Sequence, residues 1–464
     1  MNTNPQPEAK PNSPRHSTPA CPAKRDASVP PCPPWSNPSF NPQPSTSSPP
    51  PLPTITIDDQ TALWIPATNR YILVPPPADE IVRRIATGSS PDEVVAYCQD
   101  ILGRPRDESI QMEQDIRTLL LSPSVPPTAN QQQSPPAPAT RHPSSPPPAN
   151  RQSRTPTLKR SGRTPQGVGT NCQLPTANRQ RPPSTKTYRV FGCTFRIDYD
   201  SAYTQNMVHP KFAHLEQDPA LDAQHHFQLL QESRNFILYV DGERVGSWPP
   251  SQEHVCSGQC GMHMIHKIYQ RSSADWMGVL HAAAVAQNEK CLIFAGDSGA
   301  GKSTLSALLA ASGLTVLADD FLPLEGETGR ACHFPAALSV KQQALEILAP
   351  RFPVLHQAQT HHAPQQGKIF RYLPISGHQS SPPPPCSCIG LIFVQYDPAT
   401  DCQLLPMPAS EAFQRLVPDA WLHPSAENAQ NFLNWFAALP CYQLTYSNPT
   451  TMLTTIQNLL KNRD

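Results

Sequence analysis

The chain has 464 residues, of which 36 are lysine or arginine and 36 are aspartate or glutamate, so its formal net charge is zero. This balance gives no reason to expect a nucleic acid as the partner of the whole chain, and no apolar run reaches the roughly 18 residues needed to span a membrane. The 13 cysteines are odd in number and scattered. Because no signal peptide is recognisable either, we expect a reduced, cytoplasmic protein.

Proline sets two segments apart from the rest of the sequence. The chain contains 59 prolines, well above the roughly 5% of residues typical of proteins, and they concentrate in residues 1–54 and 122–186. Such segments bury too little apolar surface to offset the entropy lost on ordering, so we expect both to be disordered. The second has nine lysines and arginines but no acidic or aromatic residue. We interpret it as a solvated basic tether rather than an RNA-binding arm.

Residues 55–121 have the pattern of a small folded domain. Residues 64–66 and 70–74 are typical of two strands joined by a turn, and a helix is predicted from Ala78. The sequence Ser90-Pro-Asp-Glu93 is a capping box with proline at the first helical position. A third helix is predicted over residues 107–121. A hairpin with three helices in fewer than 70 residues indicates a winged-helix domain.

This arrangement, and the sequence YILVPPPADEIVRRIATGSSPDEVV from Tyr71, resembles the PqqD-like domains that bind leader peptides of ribosomally made, modified peptides. The resemblance implies that a precursor peptide adds a strand at the edge near residues 70–74. Arg83 and Arg84 would then meet acidic leader residues. The alternative is a DNA-binding or purely structural winged helix. Acidic residues on the third helix, Glu113 and Asp115 among them, argue against DNA.

The strongest functional motif lies in residues 291–309, CLIFAGDSGAGKSTLSALL. An apolar strand, a glycine-rich turn and a helix are the context in which the pattern G-x-x-x-x-G-K-S cradles phosphate groups. The motif predicts that Lys302 reaches the β- and γ-phosphates and that the Ser303 hydroxyl holds Mg²⁺. The residues predicted to bind the nucleotide are Gly296, Asp297, Ser298, Gly299, Ala300, Gly301, Lys302, Ser303 and Thr304.

Two carboxylates follow the next predicted strand, residues 314–318. Asp319 and Asp320 would lie at the carboxyl end of that strand, beside the phosphate loop. One can hold Mg²⁺ while the other accepts a proton from an attacking hydroxyl. Upstream, residues 276–285 are predicted to form one apolar strand that contains His281. A lone histidine in such a strand is more often a core residue than a catalytic one.

These motifs, in this order and spacing, resemble the HPr kinase/phosphorylase family. The sequences LHAAAV, GDSGAGKSTL and LADD are similar to HPr-kinase-related proteins that accompany peptide-modification genes. The resemblance implies a phosphoenolpyruvate-carboxykinase-type P-loop domain over residues 187–464 that uses ATP and Mg²⁺ to phosphorylate a serine. It implies that Asp320 is the catalytic base, that Lys302 binds phosphate and that His281 lies near the transferred group. Ser303 and Asp319 would lie on the metal side.

The sequence also departs from that family. The glycine- and arginine-containing loop by which HPr kinases grip HPr and reverse the reaction is absent, so neither HPr as substrate nor phosphorylase activity is expected. No residue has the signature of the family's second acidic metal ligand, for which Glu325, Glu327 and Glu346 are candidates. Lys341 or Arg371 could clamp the transferring phosphoryl group. Each is at least as easily an ordinary surface cation.

One further cluster has residue types that ligate metals. His254, Cys256, Cys260 and His263 are close in sequence, and a zinc site is conceivable. The spacing differs from the finger spacings that make a strong prediction. We therefore favour a helix that begins at residues 263–266 and enters the core.

The whole chain is expected to be an α/β protein: a small winged-helix domain and a P-loop kinase domain, with two disordered proline-rich segments. The kinase domain should contain parallel strands at residues 291–295, 314–318 and 389–395, covered by helices near residues 340–349, 409–417, 426–438 and 449–461.

The function predicted from these features is an ATP-dependent serine kinase that acts on a precursor peptide captured by the small domain. A flexible tether of about 65 residues spans roughly 45 Å and would give the captured peptide a high effective concentration at the kinase. Two alternatives are a kinase for a small-molecule hydroxyl and a leader-binding scaffold with a degenerate phosphate loop. The oligomeric state is left open, a homo-oligomer included.

Overall fold

The structure is a computed structural model that describes residues 52–121, 184–363, 368–374 and 381–461. The predictions of disorder therefore fall almost entirely outside the described residues. Each folded domain begins slightly earlier in the sequence than predicted, where the predicted first residues were 55 and 187. Thr54 already pairs with Leu63 in a sheet, and Ser184 pairs with Tyr199. Within the described ranges, no helix is both long and apolar enough to cross a membrane.

The small domain is a three-stranded antiparallel sheet followed by three helices. The sequence predicted the last two strands and the helices; the first strand, TITI, was missed because it is short and follows the proline-rich tail. The predicted capping box is confirmed, since the Ser90 hydroxyl accepts from the Glu93 N–H and the Glu93 carboxylate accepts from the Ser90 N–H. The elements are β1 (Thr54–Ile57), β2 (Gln60–Ile65), β3 (Arg70–Val74), α1 (Pro76–Ala86), α2 (Pro91–Asp100) and α3 (Arg106–Leu121).

The large domain begins with a six-stranded sheet that packs on two helices. The sheet has the order β6-β4-β5-β7-β8-β9, and α5 supplies buried residues of its core, Cys256 and Cys260 among them. The elements are β4 (Ser184–Val190), β5 (Cys193–Tyr199), α4 (Ala202–Phe212), β6 (Glu216–Gln217), β7 (His225–Glu232), β8 (Asn235–Val240), β9 (Glu243–Trp248) and α5 (Glu253–Tyr269).

The rest of the large domain contains a second six-stranded sheet, of order β13-β11-β12-β18-β21-β19, and two three-stranded sheets, β14-β10-β20 and β15-β17-β16. Its elements are β10 (Trp276–Leu280), β11 (Ala283–Gln287), β12 (Lys290–Ala295), α6 (Lys302–Ala311), β13 (Thr315–Ala318), β14 (Leu322–Glu325), β15 (Leu338–Lys341), α7 (Leu345–Leu348), α8 (Val354–Gln357), β16 (Thr360–Ala363), β17 (Lys368–Leu373), β18 (Ser387–Tyr396), β19 (Cys402–Pro406), α9 (Ala409–Leu416), β20 (Ala420–Leu422), α10 (Ala426–Ala437), β21 (Cys441–Tyr446) and α11 (Pro449–Lys461).

The central strand β12 is buried on both faces, which explains its unbroken apolar sequence. Leu292 and Phe294 pack toward α6 and α11, whereas Ile293 and Ala295 pack toward α9 and α10. β12 pairs with β18 in parallel, and the α/β class is confirmed. Two details differ from the prediction. β11 separates β12 from β13, and the helix predicted near 340–349 is present but shorter: strand β15 extends to Lys341, a 3-10 helix covers Gln342–Ala344 and an α-helix covers Leu345–Leu348.

The sheet of the small domain is covered on both faces as well. Successive residues of a strand point to opposite faces. In β2, Leu63 and Ile65 pack against the small domain's own helices. Ala62 and Trp64 join the apolar cluster that contains α9 and α10 of the large domain. The two domains therefore share one hydrophobic core.

Polar contacts accompany this apolar interface. The backbone N–H of Thr54 donates to the Gln430 side chain at 3.1 Å, and the same side chain donates to the Thr54 carbonyl at 3.1 Å. The Tyr71 ring meets Phe432 edge to face, with centroids 5.1 Å apart. Asn69, in the turn between β2 and β3, donates to the backbone carbonyl of Leu422 at 3.3 Å. Hydrogen bonds that satisfy backbone groups in such an interface give it a defined geometry.

Candidate functional site

The phosphate loop connects β12 to α6. Gly296, Gly299 and Gly301 have φ values of 136°, 106° and 106°, which a residue with a Cβ rarely adopts. At Gly296 a Cβ would also lie 2.9 Å from the carbonyl oxygen of Val394. The tip, residues 297–299, is exposed and lies next to the amino end of α6, where the helix dipole favours an anion. The predicted strand, turn and helix are confirmed.

Lys302 is the first residue of α6 and is almost completely buried, at 5% exposure. Its ammonium group donates to the carbonyl oxygen of Gly296 at 2.6 Å and to that of Asp297 at 3.4 Å. Both acceptors belong to the phosphate loop itself. The loop therefore holds the lysine at the place where phosphate oxygens would compete for it.

Ser303 and Asp319 form a pair beneath the loop. The Ser303 hydroxyl donates to Oδ2 of Asp319 at 2.9 Å, and the backbone N–H of Ser339 donates to the same oxygen at 3.2 Å. Asp319 follows β13 and is only 7% exposed. The strand thus brings the carboxylate to the helix end that carries the serine, as the sequence predicted.

The environment of Asp319 has the features of a cation site. Burial, and next the charge of Asp320, raise the pKa of the Asp319 carboxyl to about 7. Its Oδ1 atom is buried without a hydrogen-bond partner among the described residues, although such an atom costs free energy unless something binds it. A hydroxyl and a carboxylate are oxygen ligands of the kind that Mg²⁺ prefers. Ser303 and Asp319 therefore fit the metal predicted from the sequence.

Asp320 and His281 face solvent together. Nε2 of His281 lies 3.9 Å from Oδ1 of Asp320, and the two side chains are 48% and 50% exposed. This separation is too long for a direct hydrogen bond. A hydroxyl group between the two side chains could contact both. Asp319 and Asp320, although adjacent, thus have opposite environments, one buried and one open to solvent.

The prediction of one continuous strand over residues 276–285 is wrong. The chain leaves the β14-β10-β20 sheet after Leu280 and enters the central sheet at Ala283, so His281 lies in the break. Its backbone N–H donates to the carbonyl oxygen of Asp419 at 3.1 Å. The apolar sequence continues through the break because both strands are buried. Because His281 belongs to neither strand, its side chain faces Asp320 and solvent rather than the core.

Two further lysines reach the phosphate loop from the β15-β17-β16 sheet. The ammonium groups of Lys341 and Lys368 lie 3.5 and 2.9 Å from the Ser298 hydroxyl. Burial, followed by the charges of Lys368 and Lys302, lowers the pKa of Lys341. Sequence reasoning considered Lys341 but missed Lys368. The pairing of Lys341 with Phe370 across β15 and β17 is the tertiary fact that brings the two lysines together.

The other candidates from the sequence have different roles. Arg371 donates to the Thr360 hydroxyl and to the Leu355 carbonyl, so it holds the sheet together rather than facing the loop. Glu325 forms an ion pair with Arg271 at 2.6 Å. Glu327 is exposed in the turn after β14. Thr304 lies in the first turn of α6.

The helix predicted to begin at residues 263–266 in fact begins at Glu253 and contains the whole cluster around residue 260. His254, Cys256, Cys260 and His263 all lie on α5, and burial raises the pKa of both thiols to about 12. In the part of the chain that the structure describes, no group of three or more histidine, cysteine or acidic side chains is placed to hold a metal ion. The buried-helix interpretation accounts for this cluster.

Comparison with known proteins adds little to this geometry. No protein-family model matches the chain, and no curated protein matches it. Among solved structures, it is similar to the Hpr(Ser) kinase/phosphatase from Coxiella burnetii with a TM-score of 0.17 and 10% sequence identity, over 40% of this chain and 99% of that chain.

Proposed function

We propose that this chain is an ATP-dependent kinase that transfers phosphate to a serine of a ribosomally made precursor peptide. The observation that carries the proposal is the convergence of five groups around one loop. The ammonium of Lys302 and the Ser303–Asp319 pair lie at its base, and the exposed side chain of Asp320, the residue after Asp319, lies 3.9 Å from that of His281. Phosphoryl transfer depends mainly on positioning and charge stabilisation, and these are the groups such a site requires.

Each residue has a distinct role in the proposed reaction. Asp320, half exposed, accepts the proton of the attacking serine hydroxyl, and His281 orients that hydroxyl from the other side. Lys302 exchanges its loop carbonyls for phosphate oxygens. Ser303 and Asp319 would hold Mg²⁺, which neutralises charge on the phosphates when it is bound. Asp319 must lose its proton to do so, because a ligating carboxylate is ionised.

The small domain supports a peptide substrate. Its strand β3 pairs with β2 on one side and is an edge of its sheet, so its outer edge offers backbone groups to a peptide strand. Arg83 and Arg84, expected to meet acidic leader residues, form ion pairs with Asp79 and Glu80 within α1 at 2.8 and 2.9 Å. We therefore assign affinity to backbone pairing along β3 more than to these arginines.

The test is phosphate transfer to short peptides encoded beside the gene of this protein. The full chain is incubated with Mg²⁺–ATP and each peptide, and products are weighed by mass spectrometry. We expect a serine to gain one phosphate, and Asp320→Asn to reduce the rate by about 100-fold or more, the usual contribution of a general base. Glu327→Gln, an exposed carboxylate in the turn after β14, is the matched control. Binding of ATP and peptide without transfer would instead support a scaffold, and phosphorylation of a small alcohol alone would support a metabolite kinase.

Peptide capture is tested on the peptide rather than by deleting the small domain, because deletion would strip the shared core from α9 and α10. A leader peptide that binds is prepared in two N-methylated versions. One is methylated at the odd-numbered residues of the bound segment and the other at the even-numbered residues. A strand added to a sheet edge donates N–H groups at every second residue. One version should therefore lose binding and the other keep it. Equal binding of both versions would exclude strand addition at β3.

A further inference from the structure

The two ends of the phosphate loop have different surroundings. At the Ser298 end lie Lys341 and Lys368, and Asp319 accepts a hydrogen bond at 3.2 Å from the N–H of Ser339, which lies in the same strand as Lys341. The group that is transferred must lie near that carboxylate. At the opposite end, residues 300–301, the neighbours are two tyrosines, Tyr396 and Tyr446. A bound nucleotide would therefore direct its terminal phosphate to the first end and the rest of the molecule to the second.

Tyr396 is fixed to the loop by its backbone. It is the last residue of β18, and its N–H donates to the carbonyl oxygen of Ala300 at 3.0 Å. A Cβ on Gly301 would lie 3.8 Å from the Cβ of Tyr396 and 3.1 Å from the hydroxyl of Tyr446. The tyrosine pair therefore packs closely against the start of α6, and the absence of a side chain at Gly301 leaves room for it.

The two rings have unequal exposure. Tyr446 is 2% exposed, whereas Tyr396 is 49% exposed. The rings meet edge to face, with centroids 6.1 Å apart and planes at 88°, a favourable arrangement for an aromatic pair. The buried ring therefore supports the exposed one, and the backbone bond holds its base. An aromatic surface that is already fixed loses little entropy when a ligand stacks on it.

We propose that Tyr396 is a stacking platform for the heteroaromatic base of the phosphate donor, a nucleoside triphosphate. The inference rests on the proposed function, since it requires the phosphates to occupy the loop. Stacking on a tyrosine uses the π face that every base possesses. The platform therefore favours nucleotides over inorganic polyphosphates and discriminates little between adenine and guanine.

The experiment compares a donor that has a base with one that lacks it. Binding of ATP and of inorganic tripolyphosphate to the full chain is measured by calorimetry with Mg²⁺ present. Loss of one stacking contact weakens binding by about 5- to 100-fold. We expect Tyr396→Ala to weaken the binding of ATP by this factor and to leave the binding of tripolyphosphate unchanged. Tyr396→Trp should restore ATP binding. Tyr203→Ala is the matched control, because Tyr203 is also 49% exposed but stacks on Phe236 in strand β8.

The remaining outcomes separate the two proposals. If the wild-type chain binds ATP and Tyr396→Ala binds it equally well, the platform is wrong and the kinase proposal stands. The platform is also wrong if Tyr396→Ala weakens both donors alike, since the tyrosine would then support the loop rather than the base. If the wild-type chain binds neither donor, the proposed function fails and the platform fails with it.

Discussion

The Asp319→Asn variant, studied without metal, measures what it costs the fold to keep this carboxylate buried. Burial, and next the charge of Asp320, raise the pKa of Asp319 from its ordinary value of 3.8 to about 7. Between these two values the folded state holds a proton that the unfolded state has released. The free energy of unfolding therefore falls as the pH rises through this range, and the stabilisation that protonation provides is lost above the folded pKa.

The size of the effect follows from the width of this range. From about pH 5 to the folded pKa is a span of about two pH units, which at about 1.4 kcal/mol per unit amounts to about 3 kcal/mol. Asparagine is neutral at every pH. We therefore expect the wild-type chain to lose about 3 kcal/mol of stability relative to Asp319→Asn between about pH 5 and about pH 8.

Urea unfolding followed by tryptophan fluorescence, with a chelator present, measures this difference. Comparing each variant with itself at two pH values removes the constant contribution of the asparagine amide, which finds fewer partners than a carboxylate. Glu327→Gln, the same carboxylate-to-amide change at an exposed position in the turn after β14, is measured alongside as the matched surface control. The reasoning is refuted if the free energies of unfolding of wild type and Asp319→Asn differ by the same amount at both pH values. The buried carboxyl would then titrate alike in the folded and unfolded states.

Three further predictions concern other parts of the molecule. Lys341→Met should weaken ATP binding about 10-fold by removing one cation from the loop. Arg351→Met should not, because Arg351 is an exposed cation after α7 whose side chain donates to the Ile347 carbonyl; calorimetry measures both. Gln430→Ala removes two hydrogen bonds to Thr54, about 1 kcal/mol each, so hydrogen exchange should accelerate in β1 but not in β12. Ser90→Ala removes the cap of α2 and should lower the free energy of unfolding by about 1 kcal/mol in urea.

The features that sequence analysis predicted correctly depend on residues close together in the chain. The glycines of the phosphate loop need positive φ wherever the loop is placed. The apolar strand before it and the helix after it are local patterns. The capping box at Ser90 involves residues three apart. Each of these signals is complete within about 20 residues, so one sequence suffices to identify it.

The parts that were missed depend on pairings between distant segments. Lys368 reaches Ser298, 70 residues away in sequence, only because β17 pairs with β15. The strand containing His281 is broken because β10 and β11 belong to different sheets, while their composition is equally apolar. A lone lysine does not indicate which strand its own strand will pair with, and a continuous apolar run does not indicate which sheet, or how many sheets, it will join.

The sequence of β2 does contain a signal of how the small domain is placed. QTALWI is apolar at consecutive positions, whereas a hairpin open to solvent on one face should alternate with polar residues. Both faces are in fact covered, one by the small domain's helices and one by the large domain. The small domain therefore docks on the large one instead of moving freely at the end of a tether. Under the proposed function, a captured leader would start from a fixed position on β3, and the distance from there to Asp320, rather than the length of residues 122–186, would decide which serine of the precursor is phosphorylated.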